Sequence, residues 1–182
     1  MKRKTAKELL AESFQELAEQ KPIDKITVQD IVDNAGYSPA TFYRQFKDKY
    51  DLIAWDYTRR LESIMSRIGV DEYPWRQTLI DAANLFQSQK EYLANLFLHT
   101  SGMDSFFLNM TEINFRHLRA CIMANAETDT LDETVEMCIR LYVLGTVSLT
   151  CEWILDRWQA TPQVLAEVYE TSLPELLRPY LC

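Results

Sequence analysis

The chain has 182 residues, 47% of them hydrophobic, enough for one large domain or two small ones. A net charge of -8 excludes general coating of nucleic acid but not a local basic face, and only four glycines and six prolines favour long helices over a turn-rich β fold. The longest uncharged run, Tyr92–Met103, spans 12 residues, too few to cross a bilayer, and residues 1–20 carry four glutamates inside their apolar pattern, unlike a signal peptide; a cytoplasmic chain with no membrane partner is expected.

In chain order, residues 4–20 set Ala6, Leu10, Phe14, Leu17 and Ala18 on one helical face, and Lys21-Pro22 ends that helix. Thr27 caps a second helix with Val28, Ile31, Val32 and Ala35 inward, and Gly36 supplies the turn after it. Ser38-Pro39 opens a third helix with Phe42 and Phe46 on its apolar side. Asp48 caps a fourth, running to about Arg67, and residues 69–73 before Pro74 read as a connector. Helices over Trp75–Gln87, Lys90–His99 and Ser105–Asn125 follow, with Gly102 as a break. Thr130 and Glu133 match a capping box at the start of a long helix to about Trp158, and Thr161-Pro162 begins the last helix. No strand is predicted.

The charge is unevenly shared. Residues 1–50 hold nine basic and eight acidic side chains, whereas residues 51–182 hold ten and nineteen. Within the first part, two short helices joined through Gly36 form a helix-turn-helix pattern. The second helix of such a pair can enter the major groove, where it needs small residues for close approach, donors for phosphates and side chains for base edges. Ser38, Ala40, Thr41, Tyr43 and Arg44 meet those needs, Lys47 and Lys49 stand where flanking phosphates would lie, and Thr27 and Gln29 sit at the positive start of the preceding helix. Helix–Gly–helix turns also occur in all-α proteins that never touch DNA, and the aromatic residues would then be plain core.

Residues 5–53, the amphipathic first helix followed by ITVQDIVDNAGYSPATFYRQFKDKYDLI, closely resemble the N-terminal DNA-binding domain of TetR-family transcriptional regulators. The resemblance lies in Ala35-Gly36-Tyr37-Ser38, in Thr41-Phe42-Tyr43, and in Phe46-Lys47-Asp48-Lys49 with Leu52; Tyr37 and Tyr50 depart from that family's more usual Val and Glu. It implies an all-α protein of about nine helices: an N-terminal three-helix head, residues 1–53, and a helical effector-binding and dimerisation body, residues 54–182. It also implies that Ser38, Thr41, Tyr43 and Lys49 contact phosphates while Ala40 and Arg44 face bases. Partners implied are double-stranded operator DNA, a second copy through the last two helices, and a small-molecule or protein effector, with repression as the default sign. Gly145, Trp158 and Thr161-Pro162 loosely resemble a TetR-like subgroup that includes regulators acting with a protein partner. A transcriptional activator, co-activator or protein-binding adaptor of the same fold is therefore the alternative.

In the body, the helix from residue 131 is apolar on two sides, one carrying Val135, Cys138, Ile139, Tyr142, Leu149 and Trp153, the other Met137, Leu141, Leu144, Cys151, Leu155 and Trp158. Such a helix buries one side in its own core and offers the other to a partner, unless both are core. Tyr92, His99, Phe106 and Tyr142 are the ligand candidates. Cys121, Cys138, Cys151 and Cys182 form no CxxC pair, and His99 and His117 have no ligand spacing, so neither metal nor cofactor is expected. No GxSxG, P-loop or HExxH motif is present, which points away from an enzyme.

Overall fold

The computed structural model describes residues 4–67, 73–102 and 105–181, and among these it forms nine α-helices and no strand. α1 (Ala6–Ala18) starts at a reciprocal cap: the Thr5 hydroxyl accepts the Glu8 N–H, and the Glu8 carboxylate accepts the Thr5 N–H. Thr27 and Asp30 repeat the device at the start of α2 (Val28–Ala35). Gly36, at φ 70°, closes α2, with the Tyr37 N–H donating to the Val32 carbonyl at 2.8 Å. Open space surrounds Gly36, so the left-handed backbone rather than crowding selects glycine there.

α3 (Pro39–Tyr43) is shorter than its sequence pattern suggests, with Arg44 already its C-terminal cap. Phe46 follows the helix but still turns inward, because its N–H bonds the Phe42 carbonyl at 2.9 Å. α4 (Lys49–Met65) is capped by Asp48, whose carboxylate accepts the N–H groups of Tyr50 and Asp51, both at 2.9 Å. The helix runs straight through residues 53 and 54, where two domains were expected to divide. Of the predicted connector, residues 69–72 lie outside the described residues.

The body comprises α5 (Trp75–Ser88), α6 (Lys90–His99), α7 (Phe106–Asn125), α8 (Glu133–Ile154) and α9 (Pro162–Thr171). Two tight turns of 3-10 helix, Ile23–Lys25 and Glu175–Tyr180, escaped the sequence pattern. So did both ends of α8. Its cap is Asp132, which accepts the Thr134 N–H at 2.8 Å; Thr130 is instead drawn into a local turn by the Thr128 hydroxyl. It stops at Ile154, because Asp156 takes φ 61° and the Arg157 N–H folds back on the Glu152 carbonyl at 2.9 Å.

One continuous core joins Phe14 and Phe42 in the three N-terminal helices to Leu61, Ile139 and Trp153 in the body. The two sides of α8 have different fates. Val135, Ile139, Tyr142 and Trp153 are buried, whereas Met137, Leu141 and Leu144 are exposed, Leu141 by 72%, as is Trp158 beyond the helix end. By length and composition alone α8 is apolar enough to cross a bilayer, a property that counting uncharged runs overlooked. Eight of its residues are buried against the protein's own helices.

Candidate nucleic-acid interface

Phe42 and Phe46, 0% and 2% exposed, hold α3 on its scaffold. Their rings are 5.7 Å apart, and Phe46 meets Trp55 of α4 edge-on at 5.6 Å. The Lys7 ammonium lies 5.1 Å from the Phe46 ring centre, closing the contact from the α1 side. With the phenylalanines spent inward, Ser38, Ala40, Tyr43 and Arg44 face solvent, Tyr43 by 60%, and Thr41 is half-buried between them. The Ser38 and Thr41 hydroxyls are 3.2 Å apart, and the Arg44 guanidinium donates to the Thr41 hydroxyl at 3.1 Å. A guanidinium, two hydroxyls and a phenol thus share one exposed side beside the small Ala40. These groups can donate to phosphate oxygens and base edges, and the small residue permits close approach. Lys47 is exposed just beyond.

At the start of α2, Thr27 and Gln29 are exposed but already engaged. The Thr27 hydroxyl donates to Asp30 at 2.7 Å, and the Gln29 amide donates to Asp33 at 2.7 Å. The Asp30 carboxyl is held down to about 2, first by the Thr27 N–H, then by the Thr27 hydroxyl and Lys21.

Lys49 departs from its expected place among the phosphate-facing groups. Its ammonium donates to the carbonyls of Ile23, Asp24 and Ile26 at 2.9, 3.2 and 2.8 Å, which uses all three donors. Partial burial lowers its pKa, with Asp24 and Asp30 opposing that shift. The side chain therefore stitches the start of α4 to the Ile23–Lys25 turn.

The turn is also held from the body. Asn95 of α6 accepts the Ile23 N–H at 3.1 Å and donates to the carbonyls of Ala18 and Lys21 at 2.7 and 3.0 Å. Tyr92 stacks edge-on against Phe14 of α1 at 6.3 Å, and His99 stands 3.7 Å from Asp24. On α4, the buried Asp56 carboxylate holds Arg59 at 3.0 Å and Arg60 at 2.7 Å; Arg60 reaches across to Gln15 of α1 at 2.8 Å. Sequence reasoning missed Asn95 and this carboxylate–arginine set. A lone amide between the apolar residues of α6 was the available signal for Asn95.

The ligand candidates do not come together. A cavity of about 90 Å³ lies between α4, α5, α7, α8 and α9, lined among others by Leu61, Ile64, Trp75, Thr78, Phe86, Met110, Asn114, Tyr142 and Tyr169. Of the four candidates only Tyr142 lines it, and its hydroxyl donates to the Tyr169 carbonyl at 2.9 Å. Phe106 is core, packed on Tyr57 and Phe97 at 5.5 and 5.0 Å. Tyr92 and His99 serve the contact with the N-terminal helices instead. Burial pushes the hydroxyls of Tyr57, Tyr92 and Tyr169 well above the ordinary phenol range, so they stay protonated.

Residues 15–54 match the bacterial regulatory proteins of the tetR family. The HTH-type dhaKLM operon transcriptional activator DhaS of Lactococcus lactis subsp. lactis (strain IL1403) is 22% identical over 100 residues, which are 55% of this chain. The aligned part spans about half (53%) of that relative's length. Among solved structures, a dihydroxyacetone kinase operon activator DhaS superposes with a TM-score of 0.67 at 16% identity, covering 97% of this chain and 98% of that one. A TetR transcriptional regulator from Streptococcus agalactiae 2603V gives 0.65 at 17% identity, covering 93% of each chain. Another from Rhodococcus sp. RHA1 gives 0.65 at 16% identity, covering 96% and 99%. At these identities the likeness is one of fold.

Proposed function

We propose that the chain, whose residues 15–54 match the bacterial regulatory proteins of the tetR family, is a non-enzymatic, cytoplasmic transcription factor of that family that binds operator DNA as a homodimer and represses until an effector occupies its body. The observation that carries this reading is the division of α3: two phenylalanines inside, hydroxyls and a guanidinium outside. Ser38, Thr41, Tyr43 and Lys47 serve as phosphate contacts, and Ala40 and Arg44 face the bases. Thr27 and Gln29 border the same side, while Lys49 positions the start of α4 rather than reaching DNA. The exposed apolar side of α8, with Val164 and Val168 of α9, supports pairing with a second copy. A twofold protein would read a palindromic operator with half-sites one or more helical turns apart.

Control runs along α4. Its first residue is tied to the turn beside the DNA face, while Leu61, Ile64 and Met65 at its other end line the cavity. At 1.5 Å per residue its 17 residues reach about 25 Å, so a small tilt at the cavity end moves the DNA-reading helix. Effector and DNA then compete by reciprocal coupling.

A gel shift with the DNA upstream of its own gene tests the reading. Affinity falls steeply with salt as counterions are released. Tyr43→Ala weakens binding to all sequences by roughly five- to tenfold, whereas Arg44→Ala relaxes the preference among them. Unchanged affinity in both variants refutes the assignment of α3. Activation, alone or with a protein partner, is the second reading, favoured by the likeness to a relative described as an operon activator. Deleting the gene separates the signs: target transcription rises for a repressor and falls for an activator.

A further inference from the structure

Ser38, Thr41 and Arg44 form a row along α3, each three residues from the next. The Arg44 guanidinium, on the residue that ends the helix, folds back one turn and donates through Nη2 to the Thr41 hydroxyl at 3.1 Å. The Thr41 hydroxyl lies 3.2 Å from that of Ser38, which also accepts the Thr41 N–H at 3.3 Å as the N-terminal cap of the helix. The row thus runs from the cap through Thr41 to the arginine, and it orients the guanidinium before any DNA is present. A guanidinium has five N–H donors and no acceptor. Nη2 belongs to both of its two-donor edges, one shared with Nε and the other with Nη1, through a different hydrogen in each. The bond to Thr41 takes one of those hydrogens and leaves the other edge whole.

From this geometry we infer that Arg44 reads a guanine in the operator and that Thr41 is the positioning residue that aims it. The inference rests on the reading of α3 as the DNA-contacting helix and names the base it selects. A two-donor edge needs two adjacent acceptors. In the major groove only guanine offers them, at N7 and O6; adenine sets a donor beside N7, thymine has one acceptor and a methyl group, and cytosine presents a donor. Ala40, exposed one turn before Arg44, has no side chain long enough to hold the bases away. An untethered arginine loses its freedom on binding any target, whereas one already held by Thr41 loses less, provided the target meets the free edge at the angle the tether sets. Thr41 accepts from Arg44, so this duty is compatible with a phosphate contact: Ser38 and Thr41 share one bond between their hydroxyls, and one proton of the two is left to donate outward.

Selecting bound sequences from a random DNA pool with the full-length protein, then titrating the selected duplex, tests this. The duplex carries a guanine whose replacement by adenine weakens the parent chain about ten- to hundredfold. Replacement by 7-deazaguanine, which lacks only the N7 acceptor, weakens it about three- to tenfold, one hydrogen bond's worth. Arg44→Ala binds all three duplexes within about twofold of one another. Thr41→Val, of nearly the same shape, narrows the guanine-to-adenine ratio about three- to tenfold, and Thr41→Ser restores it; a merely structural role would change affinity for every duplex alike. If Thr41→Val fails to fold, Thr41→Ala takes its place. A guanine preference that survives in Arg44→Ala overturns the inference. So does an Arg44→Ala variant that weakens every duplex equally and lowers the salt slope by about one, the mark of a phosphate contact. An unchanged ratio in the folded Thr41 variant overturns the positioning role. A protein that selects no sequence at all removes the DNA-binding reading itself, and this inference with it.

Discussion

Replacing Lys49 by methionine keeps the aliphatic stem and removes the ammonium that bonds the carbonyls of Ile23, Asp24 and Ile26. A charge-assisted hydrogen bond contributes about 1.5–3 kcal/mol. The three share one ammonium that solvent also reaches, and the Ile23 carbonyl keeps the Ile26 N–H at 3.1 Å, so the contributions do not sum. A loss of about 2–4 kcal/mol is expected, a large share of the 5–15 kcal/mol that holds a typical domain. At about 2–4 °C per kcal/mol for a chain of this size, the melting temperature drops by roughly 4–16 °C. Calorimetry gives that number, and operator titrations at several salt concentrations give the second. A stitching role leaves the slope of log affinity against log salt unchanged, whereas a phosphate contact lowers it by about one. An unaltered melting curve together with a shallower salt slope would refute the stitching role and return Lys49 to the DNA face.

Asn95→Ala removes three bonds between α6 and the N-terminal helices, costing about 2 kcal/mol in a melt, and narrows the difference in operator affinity with and without effector; an unchanged difference would show that the signal does not pass through α6. Leu141→Glu puts a charge on the exposed side of α8 and weakens self-association at least about tenfold, read as monomer in sedimentation at micromolar concentration. If that variant stays dimeric, the interface lies elsewhere. The Asp30 carboxyl, ordinary value 3.8, is held at about 2 in the folded chain, so its contribution is present above pH 3.8 and is lost as pH falls from there toward 2. The gap in melting temperature between the parent chain and Asp30→Asn therefore shrinks over that window, and a gap constant from pH 5 to pH 3 contradicts the assignment.

The sequence displayed the division of α3, hydroxyls outside and phenylalanines inside, because local rules dictate it. Hydroxyl caps at Thr27 and Ser38, a left-handed glycine at 36 and phenylalanines four apart need no knowledge of distant residues. The two-sided pattern of α8 was legible for the same reason, as was the burial of only one side. Lys49 was expected at a phosphate because a basic residue near a helix-turn-helix promises one, while the three carbonyls it bonds are 23 to 26 positions back along the chain. Asn95 reaches 72 to 77 positions, and no periodicity encodes such a bond. The cavity was least visible. Its walls come from five helices, and the aromatic residues that line it are the same types that fill a core.

The uninterrupted α4 bears on how such proteins are recombined. A chimera spliced at residue 53 would join two half-helices with unrelated side faces, and Arg60 would lose its glutamine on α1. Transplanting the rod whole, with the helix it leans on, keeps the lever and its fulcrum in one piece. Under the proposed function, modules swapped in this way would exchange what is read on DNA without silencing what is heard in the body.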